Sequence, residues 1–248
     1  MARRVVVALL GPVAWTPPGI DPVRWRAALA EDVVDLLATL NEVETAVAVT
    51  PGERWLADEV VWPGTAVFEV PEPTANAVFA ALAPSAGPVV EAAPAGDPAP
   101  PAGTAPPAGT APTAGTAPTG ETAPASETAP TGYDQAAVVV ADAPDVPGLT
   151  LGKLLRPLSS RPVAVAPAEG SGPGLLGVAA RLPVPDWLPT VDLDTAAPAE
   201  VRAAAPRPGD VAVTAGWRRL RGPADLATLD PAFEGWEATR ALLSGRTG

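Results

Sequence analysis

The chemistry open to this chain is narrow, because its 248 residues include no histidine and no cysteine, and its single lysine is Lys153. A thiolate nucleophile, a Cys-based metal site, a serine–histidine–acid triad and an imidazole base are all excluded. Carboxylates, hydroxyls, fifteen arginines, Lys153, backbone amides and hard cations held by oxygen remain. Three segments collect such groups. In Val138-Val-Val-Ala-Asp142-Ala-Pro144-Asp145-Val-Pro147, an apolar run ends in two carboxylates three residues apart. At a strand's carboxyl end, such a pair can hold a divalent metal against a diphosphate, or can close an Asx-type turn on nearby amides. Gly170-Ser-Gly172-Pro-Gly174-Leu-Leu-Gly177 spells G-x-G-x-x-G, with Asp192 downstream. Pro173, Pro183 and Pro185 deny it the helix of a dinucleotide fingerprint, which leaves a glycine-rich loop. In Trp217-Arg218-Arg219-Leu-Arg221, guanidiniums beside an indole suit a phosphate clamp, or else a solvated basic face.

Charge limits the partners. Acids outnumber bases by 28 to 16, for a net charge of −12, against the basic face that nucleic acid or an anionic membrane requires. No apolar run approaches the roughly 18–20 residues of a membrane-spanning helix. The opening MARRVVVALLGPVAW imitates a signal peptide, but it reads better as a buried first strand, so a cytoplasmic location is expected.

Elements must position these groups. Arg3–Leu10, Thr45–Val49, Thr65–Val70, Gln135–Ala141, Pro162–Ala166, Thr190–Leu193, Asp210–Thr214 and Trp217–Leu220 read as strands. Helices are expected after the Asp21-Pro22 cap through Leu40, and at Glu53–Val61, Thr74–Leu82, Leu149–Leu158, Ala197–Ala204 and within Ala224–Leu243. Apolar strands alternating with helices predict a three-layer, mostly parallel α/β sheet covered on both faces, with ligands at the strands' carboxyl ends. The domain is expected in two halves, 1–83 and 133–248. Between them, residues 84–132 collapse almost entirely to Ala, Pro, Thr, Gly and a few Glu, with hexads such as GTAPTA and ETAPTG over Gly103–Gly132. Those hexads offer no side chain to fill a β-helix, so the segment is expected to be a disordered tether.

The order of these pieces resembles the bacterial glycosyltransferase-A-like (GT-A) family of unknown function, related to molybdenum-cofactor and 2-phospholactate nucleotidyltransferases. The resemblance rests on Val139 to Pro147, then Ala168 to Gly172 with the strand at Leu175-Leu176-Gly177, then Trp217 and Gly222 to Leu226. It implies a nucleotide-diphospho-sugar transferase-like fold and a nucleotide or nucleotide-sugar as partner. It implies Asp142 and Asp145 as the catalytic carboxylates, with Mg²⁺ or Mn²⁺ on Asp142. Leu10, Gly11 and Pro12 would approach the nucleotide by backbone, and Glu169, Gly170 and Gly172 would form a substrate loop; on the transferase reading Arg219 or Arg221, this chain's own residues, would replace a metal's charge on the phosphates. The departures are specific. No basic residue follows strand one, and Arg219 and Arg221 stand where the family carries acids. Two functions follow: a transferase with a worn site on nucleotide-activated substrates, or a non-catalytic binding or scaffold protein that keeps the fold.

Overall fold

In this computed structural model, residues 2–83, 132–170 and 172–245 are described. The expected tether lies outside them, apart from Gly132. Strand β1 (Arg4–Leu10) is buried from Val5 onward and runs at the centre of the sheet. Helix α1 (Pro22–Ala38) starts where the sequence places a cap: the Asp21 side chain accepts from the Arg24 N–H at 3.0 Å, and Pro22 sits in the first turn. Then come β2 (Glu44–Val49), α2 (Arg54–Val60), β3 (Ala66–Glu69) and α3 (Ala75–Leu82).

The second half supplies β4 (Gln135–Val140), α4 (Gly148–Leu155), β5 (Val163–Glu169), β6 (Leu175–Arg181) and α5 (Pro198–Ala204). It ends with β7 (Val211–Val213), β8 (Trp217–Arg218), α6 (Pro223–Leu226) and α7 (Glu237–Leu243). The sheet order is β3-β2-β1-β4-β6-β5-β7, with β8 also on β5. Every pairing is parallel except those of β6, which runs against both β4 and β5. No described helix is long and apolar enough to cross a membrane.

Two sequence expectations change. Thr190–Leu193 is not a strand; its backbone instead bonds the start of α3 and the start of β6, through Ala75 N–H to Val191 O and Leu175 N–H to Leu193 O. The residue pattern also undercounts β6, whose Gly177, Ala179 and Ala180 carry little β propensity. Packing explains the glycine. A Cβ on Gly177 would lie 2.7 Å from the Val138 carbonyl oxygen and 2.9 Å from Val139 Cγ1. Gly177→Ala should therefore cost about 1–3 kcal/mol by overpacking, read as a lower urea midpoint with unchanged m value.

Candidate active site

From β1 the chain proceeds to β2 and β3 on one side, while β4 pairs on the other, so the strand order reverses between β1 and β4. The carboxyl ends of strands at such a reversal diverge and leave a crevice. Here it is a cleft of about 110 Å³. Gly11, Pro12 and Val13 come from the end of β1, and Val140, Ala141 and Asp142 from the end of β4. Pro73, Asp192, Leu193, Asp194 and Arg219 complete the walls.

A small second core fixes two of those walls. Trp25, Leu29 and Leu220 are fully buried together, with Val13, Trp15 and Leu242 packed against them. The Trp25 indole N–H donates to the Trp15 carbonyl at 2.9 Å, and the two rings meet edge to face. The cluster ties the loop after β1 to α1 and to the segment that carries Arg219 and Arg221. The Leu220 N–H donates to the Asp142 carbonyl at 2.8 Å, which brings that segment against the end of β4.

Asp142 and Arg219 form the centre. Arg219 Nε and Nη2 donate to the two carboxylate oxygens of Asp142 at 2.6 and 2.8 Å. Nη1 donates to the Leu193 carbonyl at 2.9 Å and the Leu175 carbonyl at 3.2 Å. Nη2 also donates to Asp194 Oδ1 at 2.6 Å. All five guanidinium donors are therefore engaged, four by buried groups and one by a carboxylate that is half exposed. Burial opposes the charge of Arg219, but the charges and hydrogen bonds of Asp142 and then Asp194 prevail and raise its pKa. Arg221 is driven the other way, by burial and by the neighbouring charge of Arg219.

Asp145 lies apart from the cleft. Its carboxylate accepts from the Trp217 indole N–H at 3.0 Å and from Arg218 Nη2, whose guanidinium carbon is 4.8 Å from the Trp217 ring centroid. Of the other residues read from the sequence, Gly11 and Pro12 line the cleft, whereas Leu10 is buried in the core. Arg221 donates to Asp194 Oδ1 at 3.1 Å and to the Pro173 carbonyl. Glu169 ends β5, Gly170 and Gly172 lie between β5 and β6, and none of the three is among the cleft's lining residues. Gly170 and Gly172 both have φ of 104°, a conformation that favours glycine. Asp194 is the residue that the sequence reading missed. Its signal was the Asp192-Leu-Asp194-Thr195 turn, where Asp192 accepts from the Asp194 N–H and the Thr195 hydroxyl.

A divalent cation does not fit on Asp142. Mg²⁺ or Mn²⁺ needs carboxylate lone pairs directed at it. Both oxygens of Asp142 are directed into a guanidinium fork, and that fixed positive charge would repel the ion. No group of three or more carboxylates converges on a common point among the described residues. The expectation of a metal on Asp142 thus gives way to an internal cation, and Arg219 supplies it.

No family model matches the chain, and no match was found among curated proteins. Solved structures do match. A protein from Desulfovibrio desulfuricans assigned to the nucleotide-diphospho-sugar transferases superposes with a TM-score of 0.55 at 13% identity, over 99% of both chains. A 4-diphosphocytidyl-2C-methyl-D-erythritol synthase from Anaerococcus prevotii gives a TM-score of 0.49 at 8% identity, covering 98% of this chain and 96% of that one. The chain has the nucleotide-diphospho-sugar transferase-like fold, in strongly divergent form.

Proposed function

We propose that this protein binds a phosphate-bearing, nucleotide-activated ligand in the cleft between β1 and β4 without a divalent cation. On this reading it is a binding protein on a transferase fold rather than a metal-assisted transferase. The Asp142–Arg219 fork carries the reading. Where a metal-assisted enzyme needs open carboxylates, this chain presents a carboxylate already neutralised by its own buried guanidinium. The ligand class is inferred from the fold and from the position of the cleft at the strand-order reversal.

The test is a thermal-shift and calorimetric titration with nucleoside diphosphates and nucleotide-sugars, in Mn²⁺ and in EDTA. The expected result is a ligand-dependent rise in Tm that is the same in both, and that weakens with salt because the contacts are between guanidinium and phosphate. A shift that appears only with Mn²⁺ would restore a metal-dependent enzyme. No shift under either condition would leave a scaffold with no nucleotide ligand.

A further inference from the structure

Asp194 stands out from the other acids of the cleft by what its Oδ1 touches and by how open it is. That one oxygen accepts from Arg219 Nη2 at 2.6 Å and from Arg221 Nη2 at 3.1 Å. The two guanidinium side chains are 4% and 15% exposed, while the Asp194 side chain is 53% exposed. One buried and one partly buried cation therefore share a single oxygen offered from the solvent side. Arg221 also keeps its buried Nε–H without a partner among the described residues. We propose that Asp194 occupies the position of a ligand's phosphoryl oxygen, as a built-in competitor that a pyrophosphate group must displace.

The chemistry is an exchange of one oxyanion for another. A phosphoryl oxygen offers the same charge-assisted contact to both guanidiniums. Arg219 gives up only its bond to Asp194, while its four bonds to Asp142, Leu175 and Leu193 keep it in place. Displacement costs little reorganisation on the carboxylate's side, because Asp194 is already half in water. The effect on affinity is direct: the wild-type cleft binds weakly until the ligand brings enough contacts to expel the carboxylate. This deepens the proposed function by naming the ligand group and its gate, and it rests on that reading only for the nucleoside portion.

Inorganic pyrophosphate separates the two. It is titrated in EDTA, by calorimetry, into wild type, Asp194→Asn, Asp192→Asn and the double variant Asp194→Asn with Arg221→Gln. Asp194→Asn should bind at least tenfold more tightly than wild type, and the added Arg221→Gln should remove most of that gain. Asp192→Asn takes the same charge from the same cleft without touching either guanidinium, and its amide oxygen can still accept from the Asp194 N–H, so an equal gain there would overturn the proposal. So would an unchanged affinity in Asp194→Asn. If Asp194→Asn fails to fold, Asp194→Ser serves in its place under the same expectations. A pyrophosphate gain without nucleoside diphosphate binding would support the gate and reject the nucleotide ligand. Nucleotide binding that Asp194→Asn leaves unchanged would do the reverse.

Discussion

Arg219→Met should destabilise the protein by about 3–5 kcal/mol, because it leaves the Asp142 carboxylate buried without its cation and removes a donor from the Leu175 and Leu193 carbonyls. For a chain of this size the corresponding fall in Tm is roughly 6–20 °C. Asp142→Leu alone should cost less, since the guanidinium keeps Asp194 and two carbonyls as partners. The double variant tests the internal-cation reading. If the pair serves stability alone, an apolar replacement of both members should recover most of the loss, because a buried ion pair and a well-packed apolar pair are often close in free energy. On the binding reading, the recovered double variant folds yet shows no Tm rise with nucleotide, as the cleft has lost the Arg219 guanidinium that would meet the phosphate. Urea denaturation of the four proteins gives the coupling energy, and a ligand titration on the double variant reads the function. Near-additive single effects of under about 1 kcal/mol would show that Asp142 and Arg219 do not depend on one another. Full nucleotide binding by the double variant would show that the ligand does not use them.

Much of this arrangement was legible from the residues. The apolar run Val5–Leu10, the Asp21-Pro22 cap and the run ending at Asp142 each announce their element locally, through burial, capping chemistry or a strand stopped by proline. The reversed strand β6 was harder. Gly177, Ala179 and Ala180 are dictated by close backbone approach across the sheet rather than by their own preference, so only the resemblance pointed to a strand there. Thr190–Leu193 misled for the opposite reason. Val191 and Leu193 are buried like alternate residues of a strand, but their backbone is used to cap α3 and to hold the start of β6. The central pair was visible as two separate halves. Asp142 was read as facing a metal and Arg219 as facing a phosphate, because 77 residues separate them and no local period links such positions. A charge argument could have joined them. A carboxylate at the buried end of a strand needs a cation, and a chain with no histidine and one lysine has little besides arginine to offer.

A second buried carboxylate predicts that stability falls as pH rises, against the usual behaviour of acids. Asp32 is 2% exposed, and its two oxygens accept from the N–H groups of Ala238 and Thr239 at 2.9 Å, clasping the start of α7 to α1. Burial is the largest influence and raises its pKa from 3.8 to about 7, against the opposing pull of those hydrogen bonds. A raised acid holds its proton in the folded state after the unfolded chain has lost it, so stability is greatest below pH 4 and declines up to about pH 7. A window of about three pH units at about 1.4 kcal/mol each carries roughly 4 kcal/mol. Glu31, raised by burial and by Asp35 and Glu59, acts with the same sign, whereas the Glu44 carboxylate, lowered by Arg3, acts oppositely. Comparison with Asp32→Asn cancels both. Relative to wild type, the asparagine variant should gain about 4 kcal/mol between pH 4 and pH 8, measured by urea denaturation at each pH. A constant difference would show that Asp32 does not titrate in this range, and a falling one that the helix start holds it ionised. The consequence reaches the cleft, because Leu242 of α7 packs in the same cluster as Leu220, which lies between Arg219 and Arg221. Ionisation tightens the two hydrogen bonds to α7 but adds the larger cost of burying a charge, so the loss falls on the stability of the whole cluster that backs both guanidiniums.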